Sequence, residues 1–356
     1  MFMLFGNALI GILEGLLIAS VFKTRAGRTV LFMIVANYVS MFVGLWGVSY
    51  LADWFTEIQL RVEPVQAGWR ALLVAVVGSF LCSVAIEWPF CSLAMKNTGV
   101  RPGKAIRATL LAQTASYAIL IPCFSLFSQA SLYTSSSIEP DLGFVAKPPA
   151  TVYYIDRNDG DIWSILTDGT GKRRVKDANL TMSNARLFVD KGKEGDLYDL
   201  WSVSGRDVPA QLVIRGIGHD AAPRRQSNFT IEPDSWSNHG MWGQEMEHTV
   251  VCPIAGGEWI AVPGFWGAQG ITIRKGDEPA YSLVLDTPFV SWIMRNAVNL
   301  PHDQSVFQIE DMLVILDMPS RRLGFLTIGR GPVVVLPEAQ GCESTPPAPT
   351  TSAAAD

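Results

Sequence analysis

Apolar positions fall into two regimes along the chain. Over residues 1–128 they run in long blocks, and from Thr151 to Leu336 they come in short runs broken by polar, Gly and Pro positions. The first block is the clearest. Between Met1 and Phe22 the single charged residue is Glu14, and then Lys23, Arg25 and Arg28 arrive together. A helix rising about 1.5 Å per residue crosses a hydrocarbon core of roughly 30 Å with about 20 such residues. The same reading predicts four transmembrane helices, at 3–22, 29–51, 70–94 and 107–128. The first lacks a basic region ahead of its apolar run, which separates it from a signal peptide and predicts an uncleaved helix entering with its N-terminus outside.

Charge orients these spans. Lys23, Arg25 and Arg28 occupy the first connection, and Lys96, Arg101, Lys104 and Arg107 the third. Basic residues collect on the cytoplasmic side, so both connections are expected there, with the second connection, the N-terminus and everything after the fourth helix outside. The expected location is the cell (inner) membrane. Trp46, Trp54 and Trp69 suit an outer interfacial belt or ordinary helix packing.

Polar residues within the spans fall at matched depths. Glu14 precedes Lys23 by nine positions, Glu87 precedes Lys96 by nine, Asn37 follows Arg28 by nine, and Gln113 follows Arg107 by six, with Thr114 and Ser116 beside it. On helices of alternating direction these four form one intramembrane polar layer, with Glu14 and Glu87 bonded to Asn37 and Gln113. A carboxylate in lipid must be protonated, paired or hydrated. The layer reads either as a proton or cation relay (or a lipid-headgroup or cofactor site) or as interhelical glue worth about 0.6–2 kcal/mol per bond. Gly11, Gly15 and Ala19 make a small-residue face for helix packing. Pro89 and Pro122 interrupt backbone bonding in the third and fourth helices.

Beyond the helices, 129–148 is Ser-rich and then Pro-containing, the composition of a linker. A β-rich domain is expected over 149–338. Val152-Tyr153-Tyr154-Ile155, then Asp159-Gly160-Asp161-Ile162-Trp163, then Thr167-Asp168-Gly169-Thr170-Gly171-Lys172-Arg173-Arg174-Val175 read as strand, turn, strand, turn, strand. This stretch resembles a blade of the TolB-like and YWTD-like β-propellers. A weaker copy runs from Leu187-Phe188-Val189-Asp190 to Gly195-Asp196-Leu197-Tyr198, and Gly160 to Gly195 is close to a blade period. Further strands are expected at 248–252, 258–263, 270–274, 280–285, 306–310, 312–318, 322–328 and 331–336. The length suits four or five blades, so a partial propeller and a β-sandwich both stand as expectations. The resemblance implies binding of proteins or small ligands rather than catalysis. Residues 339–356, rich in Pro, Thr, Ser and Ala, are expected to be disordered.

Composition then narrows the chemistry. Residues 129–356 hold nineteen basic and twenty-eight acidic side chains, so a basic face for nucleic acid is not expected. No G-x-S-x-G, P-loop, H-E-x-x-H or paired C-x-x-C occurs, and neither an enzyme nor a bound cofactor is expected. Cys252 and Cys342 are able to pair if their half lies outside the cytoplasm. His239, Glu245 and His248 lie in the acidic segment Glu232–His248, weak metal candidates at a spacing that matches no ligand frame. Trp236, Trp242, Trp259 and Trp266 are dense around it. The expected function is that of a polytopic membrane protein displaying an extracytoplasmic binding domain, as a scaffold, a sensor or a subunit of an envelope complex. Its expected partners are membrane lipid and either another protein or a second copy. The alternative is a transporter or proton-coupled subunit using Glu14 and Glu87.

Overall fold

The four apolar blocks form four helices, and the alternating region forms short strands. The computed structural model describes residues 2–62, 65, 67–96, 102–181, 185–191, 197–203, 210–219, 250–251, 258–264, 270–287 and 291–337. The chain divides into a helical unit, Met1–Gln129 together with Thr287–Val290, and a β-rich unit, Ala130–Asp286 and Ser291–Asp356.

In the helical unit α1 is Phe2–Phe22, α2 Ala26–Val62, α3 Ala67–Met95 and α4 Pro102–Phe127. All four are long and apolar enough to cross a membrane. They close a ring: α1 packs on α2, α2 on α3, α3 on α4, and α4 on α1. Leu13, Leu16, Leu31, Leu73 and Leu81 remain exposed on its outside. An apolar exterior of this kind is what lipid tails accept and water does not. Helix α2 continues well past the expected end at 51, through a stretch carrying Asp53, Glu57 and Arg61. Pro89 and Pro122 lie inside continuous helices. At the Lys23 end, Arg28 donates from Nη2 to the Leu93 carbonyl at 2.8 Å, close to the end of α3. A cation there meets the last carbonyls of a helix, where the backbone dipole favours it.

The small-residue face of α1 is used within the chain. A Cβ on Gly11 would stand 2.7 Å from the Ile34 Cα, and one on Gly15 would stand 2.5 Å from the Val30 Cα. The two backbones of the first hairpin therefore touch where glycine alone fits. Ala19, one turn further, is half-buried. Of the cysteines, Cys91 is buried while Cys82 and Cys123 are exposed.

The β-rich unit begins inside the stretch expected to be a linker. That stretch carries a short helix, α5 (Ser131–Thr134), and strand β1 (Ser137–Glu139). Strands β2 (Thr151–Ile155), β3 (Ile162–Leu166) and β4 (Arg173–Lys176) follow as an antiparallel meander. They fall where the strand, turn, strand, turn, strand reading of Thr151–Val175 places them. Asp161 ties this meander together. Its Oδ1 accepts from the backbone N–H of Ala178 at 2.8 Å and of Asn179 at 3.2 Å, and its Oδ2 pairs with Arg174. These contacts, the Ala178 N–H first, hold its carboxyl below the usual carboxylate range. Gly160 before it adopts φ of +70°, and a Cβ there would stand 2.7 Å from the Leu180 nitrogen. Strands β5 (Arg186–Lys191), β6 (Leu197–Val203) and β7 (Gln211–His219) make a second meander.

Later strands are β8 (Val250–Val251), β9 (Trp259–Pro263), β10 (Ile271–Lys275), β11 (Glu278–Leu283), β12 (Leu285–Asp286) and β13 (Ser291–Trp292). The last are β14 (Met294–Leu300), β15 (Gln304–Ile309), β16 (Met312–Asp317), β17 (Arg322–Ile328) and β18 (Arg330–Val335). They form small sheets. One has the order β1-β17-β16-β15-β14, one β4-β3-β2-β18-β8, and three-stranded sheets hold β5–β7 and β9–β11. Strand β2, which opens the β2–β4 meander, is paired antiparallel by β18, the last strand of the unit, Val333 opposite Tyr153 and Val334 opposite Val152. No closed barrel or propeller is formed by the described strands.

This sheet is covered on both faces. Val152, Tyr154, Ile165 and Val334 pack against Val298, Val306, Leu313 and Ile315 of β14–β16. The alternate positions Ile155, Ile162 and Val333 pack against Leu187, Val189, Tyr198 and Leu200 of β5 and β6. Side chains alternate across a strand, so Val333 and Val334 serve opposite cores. On the far side of the first core, the Ala261 N–H of β9 donates to the Asn299 side chain of β14 at 2.8 Å.

One substitution tests the hairpin contact. Gly15→Leu forces α1 and α2 apart and is expected to cost about 1–3 kcal/mol, while Leu16→Ala on the exposed face is expected to cost little. Unfolding in mixed micelles, followed by helical circular dichroism, reads both; equal midpoints for the two variants would exclude the close approach.

Candidate functional site

The four polar residues of the helices meet at one place. Glu14 comes from α1, Asn37 from α2, Glu87 from α3 and Gln113 from α4, and each is at least nine-tenths buried. Helical periodicity explains the meeting. Within each helix the inward stripe runs at intervals of four: Glu14 and Ile18 on α1, Met33 and Asn37 on α2, Glu87, Cys91 and Met95 on α3, Thr109 and Gln113 on α4. The ring packing then brings the four stripes to one axis.

The bonding is specific. Gln113 donates from Nε2 to Oε1 of Glu14 at 3.1 Å and also to Oε2 of Glu87. Asn37 donates from Nδ2 to Oε2 of Glu14 at 2.6 Å and to the Met33 carbonyl at 3.1 Å. Ser116 Oγ donates to Oε1 of Glu14. One amide, on one helix, thus holds the carboxyls of two others. Among the described residues no basic side chain is bonded to either carboxyl. Hydrogen bonds of this kind are among those that hold helices together in lipid.

The layer has buried neighbours on both sides along the axis, and on the Lys23 side these include Thr29 and Thr109, both 0% exposed. Toward Lys23 lies an apolar cluster of Ile18, Met33, Cys91, Met95, Ala105, Ala108 and Ala112, all buried. Toward Phe2, Ser40 donates to Ser83 at 3.2 Å, and Tyr117 stands edge-on to Phe80 with ring centres 5.2 Å apart.

Ser116 falls beside Gln113 at the depth of the layer, as its position predicts, whereas Ser40 and Ser83 were not among the residues expected there, although a signal for Ser40 is present in the chain. The hairpins α1–α2 and α3–α4 repeat one pattern. Glu14 and Lys23 are spaced as Glu87 and Lys96 are, and Asn37 and Ser40 as Gln113 and Ser116 are. Repeats related by an axis along the membrane normal build such paired sites. Ser116 reaches across from α4 to α1, and Ser40 across from α2 to α3, as the repeat requires.

Other candidates stand differently. Cys252, Cys342, His239, Glu245 and His248 lie outside the described residues, as do Trp236, Trp242 and Trp266. Among the described residues no group of three His, Cys, Asp or Glu side chains is placed to hold a metal ion. In the β-rich unit a second charged cluster forms around Glu310 and Asp311. Arg157 pairs with Asp311 at 3.1 Å, and burial raises the Glu310 carboxyl and lowers the Arg330 guanidinium. Comparison with known proteins finds no matching family model, no matching curated protein and no matching solved structure.

The bridging amide makes a measurable prediction. Gln113→Leu keeps the bulk but removes the shared donor, and is expected to cost about 1–3 kcal/mol. In a double-mutant cycle with Glu87→Gln the two changes are expected to couple by about 1 kcal/mol. Additive effects in mixed-micelle unfolding would show that the contact contributes nothing.

Proposed function

We propose that this chain is an integral membrane protein that displays its β-rich unit on the extracytoplasmic side to bind a partner, as a scaffold, a sensor or a subunit of an envelope complex. The observation that carries the reading is the make-up of the β-rich unit. It has its own two cores, and its last strand pairs with the strand that opens its first meander. A unit closed in this way is able to fold on a membrane anchor and offer its loops to a ligand. The run of sheets packed face to face supports a partial propeller, and the blade-like likeness of Thr151–Val175 supports binding of proteins or small ligands. Orientation follows from charge: Lys23, Arg25 and Arg28 at one end of the first hairpin, Lys96, Lys104 and Arg107 at the matching end of the second.

Topology mapping tests it. Thr170→Cys lies on an exposed turn and is expected to react with an impermeant thiol reagent in intact cells, whereas Lys104→Cys is expected to react only after permeabilisation. Labelling of both from the same side would end the reading. Purification in mild detergent is then expected to bring a partner along with the intact chain, and to lose it when 149–338 is deleted.

A second reading is favoured by one specific observation, the amide of Gln113 bonded to both Glu14 and Glu87. On that reading the helices form a proton-coupled membrane subunit, with the two carboxyls as the titrating groups. Glu14→Gln and Glu87→Gln are each expected to abolish proton-dependent flux in reconstituted vesicles. Full flux in both variants would exclude it.

A further inference from the structure

Six basic side chains of the helical unit gather at one end of it. Lys23 follows α1, Arg25 precedes α2 and Arg28 lies in its first turn; Lys96 follows α3, and Lys104 and Arg107 lie in the first two turns of α4. Alternating helices packed in a ring bring all six to the same end. The hairpin repeat runs out to them, since Asn37 follows Arg28 by nine positions and Gln113 follows Lys104 by nine. No acid accompanies them. Neither Asp nor Glu occurs from Gly15 to Ala52 or from Trp88 to Ile138. The acids that precede those stretches, Glu14 and Glu87, are buried and bonded to amides. Arg28 is half-buried and committed within the chain, to the Leu93 carbonyl and to the Phe32 ring, whose centre is 5.6 Å from its guanidinium carbon. The other five cations are exposed, and among the described residues none of them pairs with a carboxyl.

Like charges gathered on one end repel one another, and an anion that spans several of them relieves the repulsion. Phosphate suits Arg through its fork and Lys as a point charge. Beside the cations stand exposed aliphatic side chains. Val21 is two residues before Lys23, Leu31 three after Arg28, Leu93 three before Lys96, and Ile106 next to Arg107; they are 51, 61, 46 and 40% exposed. The occupant this surface fits therefore carries anionic groups and aliphatic chains in one molecule. Nucleic acid or an acidic peptide would satisfy the cations and leave the aliphatic side chains in water. We propose that the Lys23 end of the helical unit binds anionic phospholipid, with the phosphates on the five exposed cations and the acyl chains on the aliphatic side chains beside them. Long basic side chains at helix ends reach out to the headgroups while their stems lie on apolar surface. This rests on the membrane placement proposed above and adds which lipid is held; it does not depend on which face of the membrane the Lys23 end occupies.

Lipid selectivity of the full chain tests this. The protein is reconstituted in phosphatidylcholine bilayers, and electron paramagnetic resonance compares the association of spin-labelled phosphatidylglycerol with that of spin-labelled phosphatidylcholine. Phosphatidylglycerol is expected to be preferred, and the preference to fall as salt rises, because charge pairing at an exposed surface is screened. Lys104→Gln with Arg107→Gln is expected to weaken the preference by about fivefold for each cation removed. Arg70→Gln, exposed near the opposite end of α3, is expected to change it little. Glycerol phosphate and a short RNA, added at the same phosphate concentration, are expected to leave the lipid in place. Equal association of the two lipids with the unaltered protein would overturn the proposal. So would displacement by either soluble phosphate, which marks a site for charge alone, or an Arg70→Gln loss as large as that of the double variant. If the double variant loses its helices by circular dichroism, the salt series on the unaltered protein still decides, since a preference indifferent to salt sinks the idea. The two proposals fail separately: labelling of Thr170→Cys and Lys104→Cys from the same side removes the orientation and leaves the lipid preference standing, whereas equal lipid association removes the preference alone.

Discussion

A carboxyl group inside an apolar bundle has to find its hydrogen bonds on neighbouring helices, because lipid supplies none. That constraint governs the helical unit. Glu14 is met by Asn37 across the first hairpin, and it reaches Asn37 because Gly11 and Gly15 let α1 lie directly on the backbone of α2. Glu87 is met by Gln113 across the second hairpin. The two hairpins are then joined by Gln113 and Ser116, both reaching Glu14. Remove the polar layer and the remaining contacts are leucines, alanines and methionines, which lipid tails match nearly as well as a neighbouring helix does. The layer is therefore what selects this ring of four over other arrangements of the same helices.

The β-rich unit obeys a different constraint. Its sheets are small, and none has enough area to stand alone. Stability comes from stacking, and the sheet of β2, β3, β4, β8 and β18 is covered on both faces by others. A strand buried on both faces cannot alternate apolar with polar residues, which is why β18 reads Val333-Val334-Val335 and β16 reads Met312 to Leu316 without a break. Polar residues that do enter these strands are spoken for. Gln308 accepts from the Gly331 N–H at 2.9 Å and from Asn296 at 2.8 Å, and Thr327 bonds to the Tyr154 hydroxyl.

Much of this was legible in the chain, and what was not has physical reasons. The four helices and their polar layer could be read because length, hydropathy and depth from the basic ends are one-dimensional quantities. The β2–β4 meander could be read because its turns use Asp, Asn and Gly at positions where their side chains bond the backbone, as Asp156, Asp159 and Asp168 do. Strand β14 could not. Its run Met294–Leu300 carries Arg295, Asn296 and Asn299, and Asn296 adopts φ of +54° where the register with β15 shifts. Those polar residues serve neighbouring elements, a tertiary purpose invisible to local propensity. Strand β1 was hidden in a Ser-rich stretch for a similar reason, since its place is set by pairing with β17, far along the chain. In the helices, Ser40 and Ser83 were missed because serine inside a helix usually bonds its own backbone, as Ser125 does with the Ile121 carbonyl. Only the repeat of the two hairpins distinguishes Ser40 and Ser116 from that background.

The repeat is also broken in an informative way. Asn37 and Gln113 hold equivalent places, but glutamine is longer by one methylene. Asn37 bonds Glu14 alone among the carboxyls, whereas Gln113 spans from Glu87 to Glu14. Ser116 reaches Glu14, while its counterpart Ser40 bonds Ser83, one turn short of Glu87. As a result the two acids are unequal. Charge on Glu14 faces three donors, Asn37, Gln113 and Ser116. Charge on Glu87 faces one, and that one is shared. In a strictly two-fold layer the carboxyls would be interchangeable and a proton would have no preferred seat. Here the longer amide makes the two acids inequivalent and ties both to one side chain.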